Sequence, residues 1–216
     1  MLTEELIETR QGPLTLGNQV RPHEQGDLMR ANIVSVLTQS VDAVPQDELD
    51  TIAALLADPK SNIWLLGGAF TAPLAAHLDF HLRKLRAGVT HLPNDTTRRS
   101  DHLLNVHKGD TLVVFDVRRY QPDVEDTARF IHQNGGRIVL FTDEWMSDIA
   151  KFAHHVVSCR VEVGTPWDSL TALLAAVELL GAACDAQLWK KSSKRLTQLE
   201  NFRDNAFIPV WRAREK

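Results

Sequence analysis

Residues 109–116 read Gly-Asp-Thr-Leu-Val-Val-Phe-Asp, a short apolar run framed by a glycine and by acidic side chains. Residues 135–142 follow a similar design with Gly-Gly-Arg-Ile-Val-Leu-Phe-Thr. Consecutive apolar residues without polar alternation are typical of strands that are buried on both faces of a sheet. We therefore predict two central strands of a parallel sheet, at residues 111–115 and 137–142.

Other strands and helices alternate on both sides of this pair. Shorter apolar runs predict strands at 63–66, 89–92 and 155–158. Helical patterns are found at 24–43, from 46 or 47 to Asp58-Pro59, at 70–86, 123–133, 147–153 and 166–189, and at 192–205. Strands that alternate with helices predict an α/β fold, a three-layer α/β/α sandwich with a five-stranded parallel sheet of the doubly wound, flavodoxin-like kind.

The chain divides into four parts. Residues 1–23 contain several glycines and prolines and are predicted to form an N-terminal arm or linker. Residues 24–60 form two leading helices. Residues 61–190 form the core domain, and residues 191–216 form a C-terminal helix and tail.

Composition excludes several classes of protein. The chain has 216 residues, of which 44% are hydrophobic and 24% charged, as in ordinary globular domains. Its net charge of −4 is unlike that of most nucleic-acid binders, although residues 181–216 are locally basic. The two cysteines, Cys159 and Cys184, indicate a reducing compartment. With no apolar run of the ~18 residues that a membrane span needs, we expect a cytoplasmic protein without membrane association.

In a doubly wound fold, ligands bind beyond the carboxyl ends of the strands. The loop after the first strand contains Gly67, Gly68 and Thr71. Glycines let the backbone approach a ligand closely, and the N-terminus of the following helix favours a phosphate. We predict that these three residues contact a ligand, while an ordinary strand-to-helix turn explains the same glycines equally well.

The loop after residue 115 carries more chemistry. It contains Asp116, Arg118, Arg119 and Tyr120, which is the only tyrosine in the chain. The planar guanidinium of arginine forms paired, charge-assisted hydrogen bonds with phosphate. We predict that all four residues contact an anionic ligand. The alternative is an Arg–Asp surface pair with a tyrosine packed on the next helix.

Polar side chains also follow the later strands. Thr142 is predicted to contact the ligand, and Asp143 to contact it or to cap a helix. Asp168 suits the positive end of the long apolar helix. Isomerisation of a sugar needs a base, for which Glu144 and Asp116 are the candidate catalytic residues.

Two further expectations concern metals and subunits. His77 and His81 are spaced for joint ligation on a helix, but no third ligand is evident, so we predict neither a metal site nor a cofactor. The helix of residues 167–189 is apolar on nearly every side, and a helix of that kind must be covered all round. We therefore predict a homodimer, with a packing role inside the monomer as the alternative.

The order of these pieces carries a resemblance to a known family. It rests on residues 63–72 (Ile-Trp-Leu-Leu-Gly-Gly-Ala-Phe-Thr-Ala), 109–115, 135–142, 147–150 (Ser-Asp-Ile-Ala) and 168–170 (Asp-Ser-Leu). Over residues 24–190 the chain resembles the sugar isomerase (SIS) domain, and more closely the effector-binding domain of RpiR/MurR-type transcriptional regulators. The resemblance implies a domain that binds phosphorylated sugars through a glycine–serine loop and a serine-rich loop.

The match to the two loops is uneven. Gly67, Ala69 and Thr71 fit the first loop, whereas residues 116–121 read Asp-Val-Arg-Arg-Tyr-Gln where the family pattern is Ser-x-Ser-Gly-x-Thr. Arginines would then replace hydroxyls as phosphate ligands. The resemblance implies the sugar-phosphate-sensing module of an RpiR-type regulator, with an aldose–ketose phosphate isomerase as the alternative. Residues 1–60 contain no helix-turn-helix pattern, so we expect contact with DNA only through a missing or separate domain.

Overall fold

Five parallel strands form one sheet in the computed structural model, which describes residues 25–206. The strands are β1 Ile63–Gly67, β2 Val89–His91, β3 Thr111–Phe115, β4 Arg137–Thr142 and β5 His155–Ser158. Their order across the sheet is β2-β1-β3-β4-β5. The predicted α/β sandwich with a five-stranded parallel sheet is therefore confirmed. The predicted N-terminal arm and the last part of the tail lie outside the described residues.

Helices cover both faces of this sheet. Within residues 25–206 they are α1 Gln25–Ala43, α2 Gln46–Ala57, α3 Ala72–Leu85, α4 Thr96–Leu103, α5 Pro122–Gln133, a short 3-10 helix Asp148–Lys151, and α6 Thr171–Ala206. Two separate hydrophobic cores result, one on each side of the sheet. In β3, Val113 and Phe115 pack on the side of α1, α2, α3 and α6, and Leu112 and Val114 pack on the side of α5. This alternation explains why a central strand is apolar at every position.

The long C-terminal helix differs from the prediction in two ways. It is one continuous helix rather than two, because Ser192 does not interrupt it: this serine is fully buried, and its hydroxyl bonds the carbonyl of Trp189 one turn earlier. The helix also begins at Thr171 and not at residue 166. Ser169 instead donates its N–H to the carbonyl of Val161, which holds the preceding residues in an irregular segment.

The same helix is long and apolar enough to cross a membrane by length and composition alone. Half of its most apolar window is buried inside the domain. The helix packs against α1, α2 and α3. Its apolar character is thus that of a core helix in this fold.

Helix α4 was not predicted, because residues 96–103 carry few apolar side chains. Asp95 caps it by accepting a hydrogen bond from the N–H of Arg98. The buried guanidinium of Arg99 donates to the carbonyls of Pro93 and Asn94 and pairs with Asp123 at 3.0 Å. Polar bonds of this kind leave no hydrophobic period for sequence analysis to detect.

Candidate functional site

A cavity of about 350 Å³ opens beyond the carboxyl ends of the central strands. Three segments line it: the loop after β1 at Gly68–Thr71, the loop after β3 at residues 116–119 with Gln121, and residues 166–168 before α6. This is the edge of the sheet where ligands bind in doubly wound folds.

Close packing shapes the loop after β1. A Cβ atom on Gly67 would lie 2.6 Å from backbone atoms of Thr71 and Ala72, so no larger residue fits there without moving the helix. The hydroxyl of Thr71 donates to the carbonyl of Phe115 at 2.7 Å and accepts from the N–H of Gly68 at 2.8 Å. Thr71 therefore ties β1 to β3, and its single proton is already used.

Backbone amides of the same loop face an anion-binding position. Gln121 accepts a hydrogen bond from the N–H of Ala69. Within residues 25–206, the N–H groups of Phe70 and Thr71 have no hydrogen-bond acceptor. They stand at the start of α3, where the helix dipole is positive. Free N–H groups in this position favour phosphate or carboxylate.

The two arginines of the β3 loop have different surroundings. The guanidinium of Arg118 is buried, donates two hydrogen bonds to the carboxylate of Asp168, and lies 4.7 Å above the ring of Trp145. Arg119 is exposed, and no described residue forms a hydrogen bond or ion pair with its side chain. Its backbone is left-handed, with φ of 68°. Arg119 is thus the one unpaired cation among the described residues of the cavity wall.

Asp143 joins the loops after β3 and β4. Its carboxylate accepts hydrogen bonds from the backbone N–H of Arg118, from the Tyr120 hydroxyl at 2.7 Å and from the N–H of Trp145 at 3.1 Å. Burial raises the pKa of Asp143. Burial and this carboxylate also raise the pKa of Tyr120. Asp143 therefore positions the arginine loop and caps no α-helix.

A second group of polar contacts lies beneath the cavity. The hydroxyl of Thr142 donates to the carbonyl of Asp116 at 2.7 Å, and the hydroxyl of Ser147 donates to the Asp116 carboxylate. Asp116 is 2% exposed. Burial raises its pKa to about 6 despite the Ser147 hydrogen bond. Asp116 is the carboxylate of the cavity wall whose charge changes nearest neutral pH.

Glu144 lies elsewhere. It lines a different cavity, of about 320 Å³, between β5 and the junction of α1 with α2. Its carboxylate accepts a hydrogen bond from the N–H of Val161 at 3.2 Å. The two carboxylates considered as a catalytic base, Glu144 and Asp116, therefore do not share a cavity.

The structure brings five of the predicted ligand-binding residues to the cavity wall and leaves three behind it. Those that line the cavity are Gly68, Thr71, Asp116, Arg118 and Arg119. Those outside its lining are Gly67, Tyr120 and Thr142.

Residues that the prediction missed also line the cavity, namely Ala69, Phe70, Gln121, Pro166 and Trp167. Asp168 was interpreted as a helix cap, which is wrong because α6 begins three residues later and Asp168 instead holds Arg118. The signal for these last residues was positional: the loop after the fifth strand ends at the same edge of the sheet.

Fold and cavity together define a doubly wound α/β domain with an anion-binding edge. The sequence matches the family model of the SIS domain over residues 55–183, which is more than half of the chain. The protein therefore belongs to the SIS domain family, and the resemblance found in the sequence is confirmed. No curated protein sequence matches the chain.

Solved structures with the same fold come from regulators and from other SIS proteins. The sugar isomerase domain of an RpiR transcription factor from Sphaerobacter thermophilus has a TM-score of 0.73 at 20% identity, with 82% of this chain and 99% of that chain covered. Vibrio vulnificus NanR complexed with ManNAc-6P has a TM-score of 0.70 at 11% identity, with coverages of 85% and 70%.

A third similar structure is the protein c3406 of Escherichia coli CFT073 in complex with arabinose 5-phosphate. It has a TM-score of 0.64 at 15% identity, with 81% of this chain and 94% of that chain covered. Likeness at this level of identity establishes the shared fold.

Proposed function

We propose that the cavity binds a sugar phosphate and that Arg119 is the principal contact of its phosphate group. The observation that carries this proposal is the unpaired guanidinium of Arg119, which lines the cavity while its neighbour Arg118 is already paired with Asp168. The free amides of Phe70 and Thr71 supply further donors to the same anion. An arginine beside a helix N-terminus combines full charge with directed hydrogen bonds.

The remaining wall suits the sugar. Phe70 and Trp167 expose their rings at the cavity, with exposed fractions of 47% and 67%. An aromatic face buries the C–H groups of a sugar ring, and the Gln121 side chain offers an amide to its hydroxyls. The site thus combines one charged end with an apolar wall.

Two of the similar structures support a phosphosugar as ligand. NanR is described in complex with ManNAc-6P, and c3406 in complex with arabinose 5-phosphate. Both ligands are named as phosphates, in agreement with the anion-binding features of this cavity. We extend to this chain only the ligand class, because residues 116–121 form a site of different chemistry from a serine-rich loop.

The likeness to RpiR and NanR favours a sensing module of a transcriptional regulator over a free-standing enzyme. In this proposal the domain acts as a homodimer in which the outer face of α6 meets its partner. Leu174, Ala175 and Leu179 on that helix are only partly buried within one subunit. A ligand that closes the cavity against residues 166–168 would reach α6 directly, since that helix begins at Thr171.

The proposal places the protein in the cytoplasm. Cys159 and Cys184 are both buried and unpaired with one another. Burial raises the pKa of each thiol to about 12, so both are protonated and inert at neutral pH.

One observation favours a second candidate, an aldose–ketose phosphate isomerase. Asp116 lines the cavity, and its pKa of about 6 suits a base that operates near neutral pH. Conversion of a pentose or hexose phosphate, followed by proton NMR, tests this directly. Turnover that is lost in Asp116→Asn would establish the enzyme.

Binding to Arg119 is tested by isothermal titration calorimetry with ManNAc-6P, arabinose 5-phosphate, glucose 6-phosphate and unphosphorylated glucose. We expect at least one phosphate to bind, and Arg119→Gln to weaken it at least about tenfold, as loss of a charge-assisted hydrogen bond predicts. Arg98→Gln, which removes an exposed arginine on α4, is the control and should leave affinity unchanged. Equal binding of glucose, or an Arg119→Gln variant with parental affinity, would contradict the proposal.

A further inference from the structure

A carboxylate of the protein itself occupies the guanidinium fork of Arg118. Asp168 accepts two hydrogen bonds there, one of them 3.2 Å from Nε, and both side chains belong to the cavity wall. We propose that this is a second anion-binding position, at which the phosphate of the ligand exchanges with the Asp168 carboxylate. This inference rests on the proposed function and extends it to the way in which the site is regulated.

The arginine is the fixed partner of this pair. Its side chain is 3% exposed, its guanidinium stacks on Trp145, and its backbone N–H is bound by Asp143. A guanidinium held on several sides keeps its position and its charge when one carboxylate leaves.

The aspartate is the movable partner. Asp168 has an exposed side-chain fraction of 14% and lies in residues 159–170, which have no regular secondary structure. Near Asp168, hydrogen bonds within the segment join Ser169 to Val161 and Thr165 to Trp167. Rotation of the Asp168 side chain towards solvent therefore breaks the ion pair without unfolding a helix or strand.

Charge favours the exchange for a phosphate. The charged side chains that line the cavity are Arg118 and Arg119 against Asp116 and Asp168, which cancel when both carboxylates are ionised. A phosphate monoester carries a charge of roughly −1.5 to −2 and three acceptor oxygens. It therefore replaces the single charge of Asp168 with a stronger partner, and the departing carboxylate gains water.

The exchange would couple ligand binding to the long helix. Asp168 stands three residues before Thr171, the first residue of α6. Phosphate and Asp168 would compete for one guanidinium, so each weakens binding of the other by the same factor. Asp168 thus acts as an internal competitor whose release reports that the site is occupied.

Calorimetric titrations of the whole protein with inorganic phosphate and with ManNAc-6P test this inference in Asp168→Asn. Because the competitor is neutralised, we expect both probes to bind about tenfold more tightly than to the parent. The unliganded variant should melt at a lower temperature, since it has lost a buried ion pair. A purely structural anchor predicts the opposite change in affinity, because a loosened cavity wall binds less well.

Glu162→Gln is the matched control. It removes one negative charge from the same segment, but Glu162 is exposed and forms no hydrogen bond with Arg118 among the described contacts. Its affinity for both probes should stay within about twofold of the parent, as expected of an exposed, screened charge. Asp168→Ala repeats the measurement if Asp168→Asn fails to fold.

The outcomes separate the two proposals. Unchanged or weaker binding in Asp168→Asn, with binding still lost in Arg119→Gln, would overturn the exchange and leave the sugar-phosphate site in place. An equal gain in Glu162→Gln would also overturn it, because general charge would then explain the effect. Failure of the parent and of both Asp168 variants to bind any phosphate would overturn both proposals.

Discussion

The hydroxyl of Tyr120 donates a hydrogen bond of 2.7 Å to Oδ1 of Asp143. The donor belongs to the loop after β3 and the acceptor to the loop after β4. Because Asp143 also binds the backbone N–H of Arg118, one carboxylate holds the arginine loop against its neighbour. The position of Arg118 and Arg119 therefore depends on residues that never face the cavity.

Tyr120→Phe tests this support. The change removes one donor from a buried carboxylate, and a hydrogen bond to a charged group is worth about 1.5–3 kcal/mol. We expect the free energy of unfolding in urea to fall by about 1–2 kcal/mol, because Tyr120 is only half-buried. A variant as stable as the parent would show that Asp143 finds another donor, such as water.

Gly67→Ala and Gly68→Ala form a pair that tests the packing of the β1 loop. A Cβ atom on Gly67 meets backbone of Thr71 and Ala72, which cannot move without displacing α3. A Cβ atom on Gly68 meets only the end of the flexible Gln121 side chain. We expect Gly67→Ala to lose about 3 kcal/mol of stability and Gly68→Ala less than about 1 kcal/mol.

Thermal melting and urea unfolding measure the two glycine variants side by side. Gly68→Ala should also weaken sugar-phosphate binding, because Gln121 must release the N–H of Ala69 and shift within the cavity wall. Equal losses of stability in the two variants would contradict the assignment of Gly67 as the tightly packed position.

Asp116→Asn should change how stability depends on pH. Burial raises the pKa of Asp116 to about 6, above the value of about 3.9 for an unfolded chain. The folded state therefore holds this proton more tightly, so its contribution to stability is full below pH about 4 and is lost as pH rises through about 6. The variant should lack this decline and be more stable than the parent at neutral pH, by up to about 3 kcal/mol.

Urea unfolding at a series of pH values between 4 and 8 measures the Asp116 effect. The hydroxyl of Ser147 can still bond the asparagine amide, so the fold is retained. Asp101→Asn, at an exposed position of α4, is the control and should follow the parent at every pH. A parental pH profile in Asp116→Asn would mean that Asp116 is ionised in the folded state well below pH 6.

Arg119→Gly should raise stability while it removes function. Arg119 has a φ of 68°, a left-handed backbone that costs most residues about 1–2 kcal/mol and glycine very little. We expect a gain of about 1 kcal/mol in urea unfolding, together with loss of sugar-phosphate binding. Arg119→Ala keeps the strained backbone and should lose binding without that gain. A glycine variant less stable than the alanine variant would contradict this interpretation of the backbone.

Most of the fold was evident in the sequence because burial leaves a local pattern. Strands β3, β4 and β5 lie at the predicted residues, since consecutive apolar side chains have no other stable environment in a chain of this composition. Helix α4 escaped prediction because Arg99 holds it through polar bonds to carbonyls and a carboxylate. The break predicted within α6 was wrong because Ser192 satisfies its hydroxyl within the helix.

The candidate site was only partly evident, because a residue type does not reveal its partner. Arg118 and Arg119 are adjacent and chemically identical, so the sequence predicted the same role, that of a phosphate ligand, for both. Asp168 is 50 residues away from Arg118 and reaches it only because the loops after β3 and β5 meet at one edge of the sheet. Pairing over that distance follows from strand order and leaves no signal in spacing.

The sequence by itself determined the fold class, the SIS resemblance and the edge of the sheet where a ligand would bind, because hydrophobic pattern and parallel topology depend on local composition. Only the tertiary structure decided which polar groups remain available there. It paired Arg118 with Asp168, used the proton of Thr71 between two strands, and left Arg119 unpaired among the described residues. The reason is physical: a buried polar group takes whichever partner the packing brings within hydrogen-bond distance, and that partner is set by three-dimensional contact.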